Sequence, residues 1–483
     1  KLHEQLPFTL TESQQRSLDE VITDMAKPTP MNRILQGDVG SGKTAVAALA
    51  ALATAECGYQ AIFMAPTEVL ARQHYLSITK TFKNFEGGVA LITGSEARIY
   101  HGEGLEEKIS KARLTSLASS GSISLVIGTH ALIATDKQSK LKISLPRLGL
   151  VISDEPHRFG GNQRKALLRN KELGIRNKAS DPKSLIHNSS FAIPHFLSMS
   201  ATPIPRTLSL VVFGDLDVST INELPKGRKP IITKIVDPVN RPKAYGFIKQ
   251  QIKAGRQAFF IYPRIENDPT QQTLTNELVT KNTKTIVTEM KAVKAEYERI
   301  SKTVFPDLKV AMLHGKMKPA EKAKVMTDFK NGDTDILIST SVIEVGVDVP
   351  NASIMVIEGA ERFGLAQLYQ FRGRVGRGEH QSFCFLLTDS TTETTTARLN
   401  ALIEAKNGFE LAEKDLELRG PGQFLGERQT GMPDTTMSSL SDIRLVKSAK
   451  DSAQQILAKD PELKTYPLLK TKLDEIKNKV HLE

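Results

Sequence analysis

Apolar positions along this chain fall in short runs rather than in strict alternation. The first half carries Ile34–Leu35, Ala61–Ala65, Val89–Ile92, Leu125–Gly128, Leu148–Ser153 and Phe196–Met199. The second half carries Ile231–Val236, Ala258–Tyr262, Val310–Leu313, Ile336–Ser339, Ile354–Ile357 and Phe383–Leu387. Runs of this length, bounded by turn residues, are the pattern of parallel strands buried on both faces. Helical periodicity fills the intervals, and alternation of strand and helix is the pattern of an α/β fold. The sequence therefore predicts two doubly wound parallel-sheet domains. After about residue 395 the strand-like runs stop, and a mainly helical C-terminal extension is expected.

At 483 residues the chain is too long for one compact core. The segment Glu223-Leu-Pro-Lys-Gly-Arg-Lys-Pro230 is rich in Pro, Gly and charge and reads as a hinge. Domains are expected at 1–225, 226–395 and 396–483. Arg164–Ser190 and Glu266–Ser301 look like insertions. The first is polar and basic and reads as a solvated loop rather than a DNA contact. In the second, Met290, Val293, Tyr297 and Ile300 share one helical face, which reads as packing.

Charge adds a partner class. Lys and Arg number 65 against 54 Asp and Glu, a formal net charge of +11. That balance suits a polyanion, nucleic acid above all. The two cysteines, Cys57 and Cys384, sit in apolar surroundings and form no ligand cluster, so neither zinc nor a disulfide framework is indicated. A reducing cytosol fits. No signal peptide or membrane-length apolar stretch is found, so a cytoplasmic protein with no membrane partner is expected. The chain starts at Lys1 rather than Met, so a preceding portion is expected.

Gly37-Asp-Val-Gly40-Ser41-Gly42-Lys43-Thr44 follows the apolar Ile34–Leu35 and precedes the helix-like Ala45–Leu52. It is a phosphate loop in strand–loop–helix context. Its glycines let backbone N–H groups curl around phosphate oxygens, and the helix dipole adds positive potential. Lys43 is expected on the outer phosphates of ATP, and the Thr44 hydroxyl on Mg²⁺. Leu148–Ser153 ends in Asp154-Glu155-Pro156-His157. Adjacent carboxylates at a parallel strand's carboxyl end suit a metal ligand, Asp154, beside a general base, Glu155. Ser200-Ala-Thr202 follows another strand; its hydroxyls either couple the nucleotide site to the domain interface or form a simple turn. Gln370-Phe-Arg-Gly-Arg-Val-Gly-Arg377 projects several cations, and Arg374 and Arg377 read either as arginine fingers for the outer phosphate or as a nucleic-acid patch.

Together these strings resemble the superfamily 2 helicases nearly end to end. Thr11-Glu-Ser-Gln14 is similar to the adenine-reading Q motif, which implies that Gln14 contacts the base with Phe8 nearby. Ala65-Pro66-Thr67-Glu68 and Gly128-Thr129-His130-Ala-Leu132 resemble the first-domain nucleic-acid motifs. Leu313-His314-Gly315-Lys-Met317 and Thr340-Ser-Val-Ile-Glu344-Val-Gly346-Val-Asp348 resemble those of the second domain, with Gly346 and Asp348 implied on the nucleotide. The resemblance narrows to the RecG family of branched-DNA helicases through Arg158-Phe-Gly160, Ser200-Ala-Thr-Pro-Ile-Pro-Arg206, Gly214-Asp-Leu-Asp-Val-Ser219, Glu361-Arg-Phe-Gly-Leu-Ala-Gln367 and Leu418-Arg-Gly-Pro-Gly422. Phe424-Leu-Gly-Glu-Arg-Gln429-Thr-Gly431 extends the last into a translocation motif shared with the transcription-repair coupling factor. There the resemblance implies that Arg419, Arg428 and Gln429 link ATP state to movement on duplex DNA.

What the resemblance implies is a pair of RecA-like domains, with ATP and Mg²⁺ as cofactors. The implied activity is ATP-driven helicase or translocase action on branched DNA, such as stalled forks and Holliday junctions, in recombination and repair. It further implies a monomer working at the bacterial nucleoid, with replication-fork proteins as possible partners. Three departures stand out. Pro156 replaces the family's Gln and has neither amide side chain nor backbone N–H, yet metal binding and base chemistry need neither. Gln423 and Glu427 replace the usual Glu and Thr. No OB-type wedge precedes the Q motif, so the chain is expected to hydrolyse ATP with DNA but to unwind forks poorly. A coupling-factor-like duplex translocase, an RNA helicase, and a branched-DNA binding protein with an uncoupled ATPase are the alternatives.

Overall fold

Thr11 opens the described chain as a helix cap. Its Oγ1 accepts the Gln14 N–H at 3.3 Å while its own N–H donates to Gln14 Oε1 at 2.9 Å. This reciprocal capping box starts α1, Glu12–Met25. A computed structural model describes residues 6–129, 132, 143–155, 194–201, 216–223, 229–263, 294–315, 317–340, 349–419 and 443–479. Packing groups the chain into two units: Lys1–Gly37 with Ser41–Glu223 and Leu416–Glu483, and Asp38–Gly40 with Leu224–Asp415.

The first unit is built on a nine-stranded sheet. Its strands are β1 Asn32–Gly37, β2 Gln60–Ala65, β3 Val89–Ile92, β4 Ala97–Tyr100, β5 Glu106–Lys108, β6 Leu125–Thr129, β7 Leu148–Asp154, β8 His195–Ser200 and β9 Asp217–Ile221. They lie in the order β5-β4-β3-β6-β2-β7-β8-β1-β9. All pairings are parallel except β3 with β4 and β4 with β5. Helices α2 Lys43–Glu56, α3 Glu68–Thr81 and α4 Lys111–Ser120 belong to the crossovers. β2 is buried at every position, which is why it reads as a continuous apolar run.

Each strand-like run of the sequence forms a strand, and the sheet adds three more. β4 and β5 pair antiparallel at one edge, where Glu106–Lys108 is exposed throughout. A charged edge strand discourages pairing with other chains. β9 is Asp-Val-Ser-Thr-Ile, too polar to read as a buried strand. Only Ser219 and Ile221 of it are buried, and the Ser219 hydroxyl is met by Arg33 on β1, which donates to its Oγ at 2.8 Å and pairs with Asp24 of α1 through Nε at 2.8 Å and a terminal nitrogen at 2.5 Å. One guanidinium thus joins β1, β9 and α1.

The second unit holds a six-stranded, wholly parallel sheet in the order β10-β15-β14-β11-β13-β12. Its strands are β10 Ile232–Val236, β11 Gln257–Ile261, β12 Val310–Leu313, β13 Ile336–Ser339, β14 Ala352–Ile357 and β15 Phe383–Leu387. α5 Arg241–Lys253, α6 Pro319–Asn331, α7 Leu365–Arg372, α8 Glu393–Glu404 and α9 Gly408–Arg419 follow in chain order. Successive residues of β11 serve opposite faces. Phe259 and Ile261 join Phe329, Leu368 and Phe371 in one core. Ala258 and Phe260 join Ile248, Phe305 and Val356 in the other. Ile300 is fully buried in that second core and Tyr297 packs against it, as the sequence predicted; Met290 and Val293 lie outside the described residues. Beyond the sheets come α10 Ile443–Lys459 and α11 Pro467–Lys479. No described helix is long and apolar enough to cross a membrane.

The Arg33–Asp24 pair should show in stability. Burial alone would raise the Asp24 pKa, but hydrogen bonds from Lys27 and Arg33 and their charges hold it below the usual carboxylate value. Its contribution is therefore complete at neutral pH and lost as pH falls below about 4. Asp24→Ala removes the closer of Arg33's two carboxylate partners, leaving Glu20 at 3.2 Å, and should cost about 1–3 kcal/mol in urea unfolding at pH 7. The difference from wild type should shrink below about pH 4.

Candidate nucleotide-binding site

β1 delivers a buried strand end into a loop in which three positions leave no room for a side chain or take a left-handed backbone. A Cβ on Gly37 would stand 2.6 Å from Ser41 Oγ and 2.9 Å from the Ile221 carbonyl of β9. Gly40 and Gly42 take φ of 78° and 87°, a region that glycine occupies without penalty. Gly42 is the N-cap of α2 and offers no side-chain cap, so the first turn's N–H groups face whatever the loop encloses. Lys43, buried, donates from Nζ to the Gly37 carbonyl at 2.7 Å and so spans the loop from end to start.

Gln14 braces the same loop. Its Oε1 serves the α1 cap, and its Nε2 donates to the Ser41 carbonyl at 2.7 Å. A Cβ on Gly42 would meet that Nε2 at 2.3 Å. The residue expected on adenine is thus also a prop between α1 and the phosphate loop. Phe8, its expected neighbour, is exposed.

The carboxylates arrive on the neighbouring strands. β7, β8 and β1 lie side by side, with Asp154 opposite Met199 and Gln36 opposite Ser200. The phosphate loop, the acidic pair and Ser200 therefore end at one edge of one sheet. Asp154 Oδ2 lies 3.1 Å from Nε2 of His74 on α3. The carboxylate only accepts, so the imidazole donates from that nitrogen. Glu155 is set apart by its backbone. Its φ is 59°, a left-handed conformation costing a side-chain-bearing residue about 1–2 kcal/mol. Two bonds to the end of β8 hold it: its N–H donates to the Met199 carbonyl at 2.9 Å, and its Oε1 accepts the Ala201 N–H at 3.2 Å. The turn gives consecutive carboxylates different surroundings, as separate chemical roles require.

Thr44 and Asp154 are hard oxygen donors of the kind Mg²⁺ takes. Among the described residues no three His, Cys, Asp or Glu side chains gather as a cage. This donor set fits an ion held jointly with a nucleotide's phosphates, which would neutralise charge on them.

Further along the edge, β2 and β6 pair with Ala65 opposite Thr129. Pro66 and Thr67 follow β2 directly, and Thr67 Oγ1 caps α3 by accepting the Leu70 N–H at 3.3 Å. Gly128 permits the close approach, since a Cβ there would lie 2.3 Å from the Ile92 carbonyl of β3. The turn Thr93–Glu96, which carries no motif signature in the sequence, joins this group: Ser95 Oγ donates to Glu68 Oε2 at 2.7 Å, and Arg72 pairs with Glu96.

In the second unit Leu313 pairs with Ser339, so His314 and Gly315 leave one strand beside Thr340 leaving the next. Three arginines were candidates in the 370–377 segment, and they separate. Arg372 donates to the Leu402 carbonyl at 2.7 Å and lies 4.6 Å from the Tyr369 ring centroid, tying α7 to α8. Arg374 and Arg377 flank Val375, which is fully buried, and Gly376, whose φ is 80°. The anchored pair between them leaves both arginines half-buried in the loop after α7. Arg419 is the last residue of α9. His130, Pro156, Thr202, Gly346, Asp348, Arg428 and Gln429 lie outside the described residues.

Three family models match in order: DEAD/DEAH box helicase over residues 11–211, helicase conserved C-terminal domain over 270–379, and ATP-dependent DNA helicase RecG, domain 3, C-terminal, over 405–481. The chain is 43% identical to the ATP-dependent DNA helicase RecG of Synechocystis across 98% of its own length and 51% of the relative's. With the Bacillus subtilis protein of that name it shares 44% identity, over 94% of this chain and 59% of the other. The chain thus spans between about half and three-fifths of these curated relatives. A solved structure of RecG bound to a three-way DNA junction superposes with a TM-score of 0.66 at 38% identity, covering 92% of this chain and 51% of that one. The helicase MrfA bound to DNA and AMPPNP matches with a TM-score of 0.55 at 15% identity, a likeness of fold, over 84% of this chain and 54% of that one.

Gly42→Ala tests the loop geometry. The added methyl must displace Gln14 Nε2 and hold a left-handed φ. Affinity for a fluorescent ATP analogue should fall at least about tenfold, or about 1.4 kcal/mol.

Proposed function

The chain belongs to the RecG helicase family, and we propose that it is the motor of an ATP-dependent DNA helicase acting on branched DNA. The observation that carries this reading is the convergence of the phosphate loop, Asp154–Glu155 and Ser200 on the ends of three adjacent strands. One relative's structure is described as bound to a three-way DNA junction. The proposed substrates are of that class: stalled forks and Holliday junctions, in recombination and repair. The proposed setting is the bacterial nucleoid, with the chain acting as a monomer near replication-fork proteins.

In this reading Gly37, Gly40, Ser41, Gly42 and Lys43 hold the phosphates of ATP, and Gln14 and Phe8 meet the adenine. Thr44 and Asp154 hold Mg²⁺. Glu155 accepts a proton from the attacking water as it forms a bond to the outer phosphorus and the bond from that phosphorus to the bridging oxygen breaks, releasing ADP. Arg374 and Arg377 stabilise charge on that phosphoryl group, with Gly346 and Asp348 at the nucleotide. Pro66, Thr67, Thr129, His130, His314, Gly315 and Thr340 grip DNA phosphates with little base reading. Ser200, Thr202, Arg419, Arg428 and Gln429 transmit nucleotide state to the DNA.

Steady-state ATP hydrolysis tests this. Duplex or forked DNA should stimulate turnover strongly, single-stranded RNA should not, and the effect should fade steeply with salt. Lys43→Ala should abolish turnover. Glu155→Gln should keep nucleotide binding and lower turnover by about 10²–10⁴. Undiminished turnover in either variant contradicts the site assignment.

A further inference from the structure

We propose that His74 is a positioning residue that ties the metal-holding carboxylate Asp154 to α3, the helix that Thr67 caps and Pro66 precedes. The proposal rests on the nucleotide-site reading above and deepens it. The buried face of α3 comprises Leu70, Ala71, His74, Tyr75, Ile78 and Thr79, with the Thr79 hydroxyl satisfied by the Tyr75 carbonyl of its own helix. The stripe is otherwise apolar around position 74, where packing alone calls for an aliphatic side chain. An imidazole stands there instead, with the residue only 5% exposed. Two contacts orient the ring. Phe63 of β2 meets it edge to face, with centroids 4.7 Å apart. Nε2 meets Asp154 Oδ2 at 3.1 Å.

A carboxylate that takes a metal needs one oxygen turned toward the ion and the other held. The His74 bond holds Oδ2, which leaves Oδ1 for the ion or its water. Without the bond, the Asp154 side chain is free to rotate about χ2, and part of its population presents no oxygen to the ion. The same bond makes the carboxylate's position a function of where α3 sits. Thr67 caps α3 at one end and His74 lies two turns on, so a shift of the helix on gripping DNA moves the imidazole with it. A route from the nucleic-acid motif to the metal ligand therefore runs through one helix and one hydrogen bond.

Mn²⁺ reports on this by electron paramagnetic resonance, in the presence of a non-hydrolysable ATP analogue. Separately, the analogue's own affinity is measured in EDTA. In His74→Ala, Mn²⁺ affinity should fall about 10–100-fold, with analogue binding in EDTA unchanged. His74→Gln places an amide donor near the position of Nε2 and should recover most of the loss. Duplex DNA should change Mn²⁺ affinity in wild type and His74→Gln but not in His74→Ala. Mn²⁺ affinity within twofold of wild type in His74→Ala overturns the proposal. So does an equal loss in the Gln variant, or a loss of analogue binding in EDTA, since each marks a role in packing only. A wild-type protein with no analogue-dependent Mn²⁺ signal overturns the nucleotide-site reading itself, and the proposal falls with it.

Discussion

Parallel strands hydrogen-bonded in register end together, and everything chemical in the first unit depends on that. β7, β8 and β1 are neighbours. Their register sets Asp154 beside Met199 and Ser200 beside Gln36. Residues far apart in sequence are thereby placed within a few ångströms without any contact designed for the purpose. The β1 end of this group is itself held in place. Arg33 clamps β1 to β9 and α1, while Gly37 lets β9 approach to a distance no side chain would allow. A slip of one residue would turn each buried side chain to the other face of the sheet.

On this frame the site is assembled from props as much as from reactive groups. Gln14 supports the loop backbone, His74 supports Asp154, and the end of β8 supports Glu155. Each prop comes from a different element. The second unit shows the same economy: Arg372 is committed to α8, and Val375 is sunk in the core. These two anchors bracket Arg374, and Arg377 follows two residues after the second.

Much of this was legible in the sequence. A strand buried on both faces must be a short apolar run, so β2 or β14 could hardly be misread. The phosphate loop and the acidic pair were legible because their chemistry demands particular residues in fixed local order. The rest depends on partners distant in sequence. β9 looks like loop until Arg33 is seen to satisfy Ser219. β4 and β5 are too short and, for β5, too exposed to leave an apolar signature. His74 lies 80 residues from Asp154, and no local pattern marks the pair. Gln14 was read as an adenine contact, while its support of Ser41 emerges only in three dimensions.

The left-handed backbone at Glu155 separates what is best for folding from what is best for chemistry. Glycine would occupy that φ at no steric cost and so relieve the strain. It would also give up the Oε1 bond to Ala201 and the carboxylate on which hydrolysis is proposed to depend. At this one position relief of backbone strain and the proposed turnover oppose each other, so a hardier relative of this protein must gain its margin elsewhere in the fold.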